Sequence, residues 1–173
     1  MYGILLSFLF PCITNQETYE IHYYTISNNF IDSVRPDIDY IRKERIIESI
    51  YDSSVKYSIN PLLVLSVMYH ESNFKNVFGD SGNAVGYMQI SIDTAQEMYP
   101  NLTRDELYDK LFYDVEFNVD TGVRFLRVLL DKYKIRGIAI KRYNGNGPAA
   151  RKYSKKILKT FNMLYVIYSD YCP

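Results

Sequence analysis

One apolar stretch, "INPLLVLSVMYHES" at residues 59–72, constrains the fold of this chain more than any other part of the sequence. Asn60 is a favourable N-cap and Pro61 a favourable first helical residue, so a helix is predicted to begin there. Residues 62–68 are apolar apart from Ser66 and cover nearly every side of that helix. Because a helix that is apolar all round is normally buried, the sequence predicts a domain built around this segment.

Further helices are predicted on both sides of this central segment. Residues 37–57 place isoleucines at three- and four-residue spacing behind two aspartates that could cap the helix. Ser91 or Asp93 is expected to cap the short helix "TAQEMY", and "TRDE" at residues 103–106 is a capping box. The last helix is expected to run from about residue 149 to residue 168.

A long helix is predicted to begin at Asp114 and to contain "VEFNVDTGVRFLRVLLDKYK". Its inner stripe is expected to consist of Phe117, Thr121, Phe125, Val128 and Leu129. Gly122 lies in the middle of this helix, where it costs about 1 kcal/mol relative to alanine. A close approach between two helices would explain that glycine.

The connections between the predicted helices are uneven. Residues 73–84 are rich in glycine and asparagine and are predicted to form a loop, and Val85 to Ile90 is predicted to be a short extended piece or turn. We therefore predict an all-α fold in which orthogonal helices surround the buried central helix, with a small irregular or β-like insert.

The N-terminal part of the chain is predicted to lie outside this domain. The apolar run Ile4 to Phe10 is too short to span a bilayer and resembles the apolar core of a secretory signal, although the first basic residue is Arg35. Residues 14–36 are polar and tyrosine-rich without clear period and are interpreted as an arm or linker. The predicted division is a signal-like segment and arm at residues 1–36 and a domain at residues 37–173, with export to the periplasm or cell envelope; the alternative is an apolar N terminus that packs on the domain.

The two cysteines, Cys12 and Cys172, have no CxxC neighbour, which argues against zinc or thioredoxin-type chemistry. Cys12 follows "LFP", a poor lipoprotein cleavage sequence, so lipidation is not the favoured interpretation. A disulfide between the two cysteines requires that the N terminus be retained.

Charge is unevenly distributed although the formal net charge is zero. Residues 132–159 contain many lysines and arginines and no aspartate or glutamate. Such a segment either faces a polyanion or is a solvated helix face whose counter-charges lie on another helix. A nucleic-acid partner is not expected, because no nucleic-acid-binding motif is present.

Several classes of catalytic site are excluded by the absence of their motifs. The chain has no HExxH, GxGxxG, P-loop or GxSxG sequence, and it has two histidines, His22 and His70. We therefore expect no metal and no cofactor, and we interpret His70 as a structural residue.

Glu71 ends the central apolar helix and is the first candidate for chemistry. Burial disfavours the charged form of a carboxyl group and raises its pKa, and a protonated acid near neutral pH can act as a general acid. The acidic glutamate of lysozyme, which lies in an apolar pocket, is a well-known example of this arrangement. The alternative is that Glu71 faces solvent or pairs with Lys75, four residues along.

Four sequence blocks, in order, resemble the lytic transglycosylase and goose-type lysozyme superfamily. They are "ESNF" with Glu71, "GNAVGYMQI" with Gly82, Gly86, Met88 and Gln89, "NVDTG" with Asn118 and Gly122, and "RYNGNGP" with Tyr143 and Asn144. Arg142 departs from the pattern, because a small alanine usually precedes the tyrosine, and this cation would meet an anionic lactyl or peptide group.

The resemblance implies a lysozyme-like domain of the α+β lysozyme class that acts on peptidoglycan glycan strands. It implies that Glu71 is the acid and later the base, and that Ser72 helps hold the sugar or the glutamate. The implied cleft residues are Tyr87, Met88, Gln89, Tyr143 and Asn144. A monomer is expected, and a partner in the envelope or in a secretion machine is compatible with so small an enzyme.

Three functions are consistent with these residues. In the favoured one, a lytic transglycosylase cleaves the bond between N-acetylmuramic acid and N-acetylglucosamine without water, because the substrate supplies the nucleophile in place of a second carboxylate. In the second, a goose-type muramidase uses Asp80 to place a hydrolytic water, although Ser91 stands where that group has another aspartate. In the third, the chain is an inactive peptidoglycan-binding or assembly module.

Overall fold

A computed structural model describes residues 15–171 of the 173-residue chain. The described part contains the α-helices α1 (Asn15–Val34), α2 (Tyr40–Lys56), α3 (Pro61–Ser72), α4 (Ile92–Met98), α5 (Arg104–Tyr113), α6 (Val115–Tyr133), α7 (Arg136–Asn144) and α8 (Pro148–Tyr171). Three two-residue antiparallel strands, β1 (Phe78–Gly79), β2 (Ala84–Val85) and β3 (Ile90–Ser91), follow α3 in the chain. The predicted all-α fold with a small β-like insert is confirmed.

The central position of α3 is confirmed. The Asn60 side chain accepts a hydrogen bond from the Leu62 amide at 2.9 Å, so the predicted cap is formed. Residues 61–68 are all buried, and α3 packs against α8, α2 and α1. The helix ends at Asn73, which has left-handed backbone angles, so the chain turns away immediately after Ser72.

Residues 15–34 form helix α1, which corrects the interpretation of residues 14–36 as an arm or linker. Tyr23 and Ile31 are fully buried, and the Tyr23 hydroxyl donates a hydrogen bond to the Ile47 carbonyl at 3.0 Å. The apolar period of α1 is hard to recognise in the sequence because its buried positions include a tyrosine, Tyr23, and a serine, Ser27. The division of the chain at residue 36 stays a prediction, as do the predictions for residues 1–14 and for Cys172, which lie outside the described residues.

The predicted caps of the outer helices are formed. The side chains of Asp39, Ser91 and Asp114 cap α2, α4 and α6, and Thr103 forms the predicted capping box with Glu106. None of the helices within residues 15–171 combines the length and the apolar character that a membrane crossing requires.

The inner face of α6 differs from the predicted stripe at three of its five positions, since Phe117 and Phe125 are half-buried and Val128 is exposed. Val128 is 52% exposed, and the buried positions of the helix are Asn118, Val119, Thr121, Gly122, Val123, Leu126 and Leu129. Asn118 and Thr121 are polar and Gly122 has no side chain, so an apolar pattern alone did not locate the buried face of α6.

Candidate active site

Glu71 lies in the last turn of α3, where the apolar helix brings its side chain into a half-buried position. Burial raises the pKa of Glu71 from 4.5 to about 7, and a hydrogen bond from Tyr153 opposes part of that rise. The ion pairs of the described residues do not include one between Glu71 and Lys75, so that alternative is not supported. Near neutral pH this carboxyl group exchanges a proton readily, as a residue that must act as both acid and base requires.

Tyr153, on α8, is the nearest partner of this carboxyl group and was not predicted. Its hydroxyl donates a short hydrogen bond to Glu71 Oε1. Burial and the neighbouring Glu71 charge raise the pKa of Tyr153 well above its ordinary value, so the phenol stays protonated and remains a donor. The packing of α8 against α3 brings the two residues together across 82 positions of sequence, and no local pattern could have indicated the pair.

The segment between β2 and β3, residues 86–89, is held by side chains from three different helices, one of which is Ser72, the residue after Glu71. Asn118 of α6 accepts a hydrogen bond from the Met88 amide at 2.9 Å and donates to the Val85 carbonyl at 3.0 Å. Ser72 of α3 donates to the Tyr87 carbonyl at 2.7 Å. Tyr143 of α7 donates to the Met88 carbonyl at 3.0 Å.

These hydrogen bonds explain why separate sequence blocks occur together in this chain. "ESNF", "GNAVGYMQI", "NVDTG" and "RYNGNGP" each contribute a residue that either belongs to the segment 86–89 or binds its backbone. Buried backbone N–H and C=O groups need hydrogen-bond partners. Three of the blocks supply side chains that bind the backbone of the fourth, "GNAVGYMQI". The blocks therefore form one structural unit around Glu71.

Two glycines allow this segment to approach α6. A Cβ atom added at Gly122 would lie 2.7 Å from the Met88 Cβ, and one added at Gly86 would lie 2.1 Å from the Asn118 Nδ2. Gly86 also has a φ of +80°, which disfavours any other residue. The predicted reason for Gly122, a close approach between two helices, is wrong; the close approach is between α6 and the segment 86–89.

The structure corrects the predicted cleft positions of Tyr87 and Met88. Tyr87 is 3% exposed and Met88 is fully buried, so neither side chain offers a surface to a sugar ring. Residues 86–89 form a turn whose backbone is bound to α6 through Asn118, and this turn directs both consecutive side chains into the core. Ser72 is also buried, and its hydroxyl is engaged with the Tyr87 carbonyl.

Gln89, Tyr143 and Asn144 meet at a shared cavity. This cavity has a volume of about 280 Å³ and is lined by Gln89, Ile90, Ser91, Thr94, Phe125, Arg142, Tyr143, Asn144 and Gly145. Glu71 does not line it; burial, followed by the Glu71 charge, raises the pKa of Tyr143, which belongs to the cavity wall. Asn144 is exposed, whereas the Gln89 amide nitrogen donates to the Val77 and Gly86 carbonyls at 2.9 and 2.8 Å.

Asp80 is an exposed residue of the turn between β1 and β2. It has a φ of +46°, and its carbonyl accepts a hydrogen bond from the Asn83 amide at 3.1 Å. The influences on the Glu71 pKa are burial and Tyr153, and Asp80 is not among them. Ser91, at the position where goose-type lysozymes are expected to have a second aspartate, accepts a hydrogen bond from the Thr94 amide and thereby caps α4.

His70 faces away from this chemistry, as expected for a structural residue. Its Nε2 lies 2.9 Å from the Thr160 hydroxyl of α8. Burial, followed by the neighbouring Lys156 charge, lowers the pKa of His70, so the neutral form is favoured. The residue therefore helps to join α3 to α8 and thereby supports the Glu71–Tyr153 pair.

Comparison with known proteins is consistent with this geometry. The family model described as Transglycosylase SLT domain matches residues 48–162 of the chain. A "Membrane-bound lytic murein transglycosylase C" of Histophilus somni (strain 2336) is 32% identical over 95 residues, which is 54% of this chain and 26% of that protein. Proteins of the same name from Actinobacillus pleuropneumoniae serotype 5b (strain L20) and Photorhabdus laumondii are 28% and 27% identical, over 66% and 71% of this chain and 30% and 38% of their own lengths. The chain thus spans between about a quarter and two fifths of the curated relatives it matches.

Proposed function

This chain belongs to the Transglycosylase SLT domain family, and on that premise we propose that it is a peptidoglycan lytic transglycosylase. The observation that carries the proposal is the Glu71 carboxyl group, which ends a buried helix and has a pKa raised to about 7 by burial. One such group can protonate a leaving oxygen and afterwards remove a proton. The names of the relatives, which are membrane-bound murein transglycosylases, agree with peptidoglycan as the substrate and with an envelope location.

In the proposed first step, protonated Glu71 donates its proton to the oxygen that leaves with N-acetylglucosamine. The 2-acetamido carbonyl of N-acetylmuramic acid attacks C1 of the same sugar as the C1–O bond breaks. The substrate therefore supplies the nucleophile that a second carboxylate supplies in other glycosidases. Tyr153 donates a hydrogen bond to Glu71 and stabilises the carboxylate that forms.

In the proposed second step, the 6-hydroxyl of N-acetylmuramic acid attacks C1 and displaces the acetamido oxygen. The Glu71 carboxylate removes the hydroxyl proton, which restores the acid for the next turnover. The product is a 1,6-anhydro sugar, and no water is consumed. Gln89, Tyr143 and Asn144 are proposed to line the substrate cleft, and Ser72 acts by holding the Tyr87 carbonyl.

Product analysis tests the proposal directly. Sacculi digested by the protein in heavy-oxygen water should release anhydro-muropeptides that carry no heavy oxygen at C1. Reducing-end products labelled at C1 would refute the transglycosylase reaction and support the muramidase alternative. No product from the parent protein, together with sugar binding that Glu71→Gln leaves unchanged, would support the inactive binding module.

Two variants separate these alternatives further. Glu71→Gln should lower kcat by roughly a thousandfold or more, in the range expected for loss of a general acid and base. Asp80→Asn should retain turnover and the anhydro product, because its exposed turn position gives it no task in the proposed steps. A large loss of turnover in Asp80→Asn would instead indicate a residue that places water.

A further inference from the structure

A second concave site, which we call the basic pocket, lies where α7 gives way to α8. It has a volume of about 470 Å³ and is lined by Lys141, Asn146, Gly147, Pro148, Arg151, Lys152 and Lys155. Four of these lining residues are cations, and none is acidic. The proposed chemistry at Glu71 uses none of them.

The cations of the basic pocket have no counter-charge in the described part of the chain. The ion pairs found there involve other lysines and arginines and do not include Lys141, Arg151, Lys152 or Lys155. The interpretation in which residues 132–159 form a solvated face with counter-charges on another helix is therefore not supported for these four. These four cations line one concavity, and none of them is in an ion pair with a carboxylate of the described residues.

The position of these cations is unfavourable for the isolated protein. Helix α8 begins at Pro148 and has no acidic residue in its first turn, although acidic residues are the ones that stabilise this end of a helix. Arg151 lies at the positive end of the helix dipole. Arg151 and Lys155 are also like charges at i, i+4, which repel each other. These two repulsions lower the stability of the folded protein. An anion bound in the basic pocket would offset them, which would explain why the cations are there.

The basic pocket adjoins the cavity that Gln89, Tyr143 and Asn144 line. Arg142 lines that cavity, and its guanidinium donates a short hydrogen bond to Asn146, which lines the basic pocket. Lys152 precedes Tyr153, the residue that binds the Glu71 carboxyl group. The two concavities therefore share the chain segment 141–148, so a polymer seated in the cavity would lie next to the basic pocket.

We propose that the basic pocket binds the carboxylates of the peptide stem that N-acetylmuramic acid carries. This inference rests on the proposed function, because it takes the occupant of the cleft to be a peptidoglycan strand. The stem is a side group of the sugar on which the reaction occurs, and its free carboxylates match lysine ammonium groups and the Arg151 guanidinium. The concave shape favours such a group over a membrane surface. The pocket thus makes the enzyme prefer peptide-bearing glycan.

The test compares two substrates, one with the whole peptide stem and one in which only the lactyl carboxylate of N-acetylmuramic acid remains. Values of kcat/KM are measured on peptide-bearing glycan strands and on the same strands stripped of peptides by an amidase. In Arg151→Glu/Lys155→Glu the ratio of the two values should fall by roughly tenfold, because each exposed ion pair contributes at most about fivefold in affinity. Lys159→Glu is the control, since it reverses one charge on α8 outside the pocket, half the change of the double variant, and should leave the ratio unchanged.

Stability provides a second readout that a structural role would move in the opposite direction. Arg151→Glu places an acid at the N-terminal end of α8 and four residues before Lys155, so its urea midpoint should equal or exceed that of the parent. A lowered midpoint would show that Arg151 is needed for folding and would overturn the inference.

Three further outcomes are decisive. An equal loss on both substrates would overturn the inference while leaving the proposed function intact. Loss of binding to anionic phospholipid vesicles, with an unchanged substrate ratio, would overturn it in favour of a membrane contact. Failure of the parent protein to cleave either substrate would refute the proposed function, and the inference with it.

Discussion

Replacing Glu71 with glutamine is expected to abolish turnover and, above neutral pH, to make the folded protein more stable. The reason is the cost of keeping a charged carboxyl group in a buried position. Burial raises the pKa of Glu71 from 4.5 to about 7 in the folded state, whereas the unfolded chain has the ordinary value. That difference corresponds to about 3 kcal/mol of unfolding free energy once the group is ionised in both states.

The size of the effect grows with pH, and its sign is fixed by the raised pKa of Glu71. Below pH 4.5 the carboxyl group is neutral in both states and costs nothing. Between pH 4.5 and about 7 the unfolded state loses its proton first, so stability falls as pH rises. Glutamine is neutral throughout, and its carbonyl can still accept the hydrogen bond from Tyr153. Glu71→Gln should therefore match the parent at pH 4 and exceed it by about 3 kcal/mol at pH 8.

Urea unfolding of both proteins at pH 4, 6 and 8 measures this difference directly. Contributions from other titrating groups cancel, because only the difference between parent and variant is used at each pH. Glu97→Gln, the same substitution on an exposed position of α4, is the control. A variant that is equally stable at all pH values, or less stable than the parent at pH 8, would refute the assignment of Glu71 as a desolvated acid.

Three further predictions concern residues around the site. Tyr153→Phe removes the hydrogen bond that lowers the pKa of Glu71, so the pKa should rise further and the alkaline limb of kcat/KM against pH should move upward by roughly one pH unit; a downward shift would contradict this role. Gly122→Ala should destabilise the fold by about 1–3 kcal/mol in urea unfolding, because the added methyl group would overlap Met88, and a gain in stability would show that helix propensity prevails. Asn118→Ala should cost about 3 kcal/mol by the same assay, since buried backbone groups of the segment 86–89 lose their partner; a cost near zero would mean that water replaces the side chain.

Much of the fold could be predicted because its signals are local. The apolar residues of α3, the cap at Asn60 and the capping box at Thr103 lie within a few positions of the elements they define. Helix α1 was missed because its buried positions include tyrosines among polar residues, and its burial depends on α2, α3 and α8. Val128 was misplaced for a related reason, since the buried face of α6 is centred on Asn118 and Gly122, which an apolar pattern does not reveal.

By itself, the sequence determined that a glutamate ends a buried helix and that four blocks typical of one family follow in order. Only the tertiary structure decided what those residues contact. It turned Tyr87 and Met88 into the core, gave Asn118 and Gly122 their tasks, and placed Tyr153 on the Glu71 carboxyl group. It also gathered four cations into one pocket. The physical reason is that helix periodicity is encoded by near neighbours, whereas desolvation, hydrogen bonding and charge depend on groups that only packing brings together.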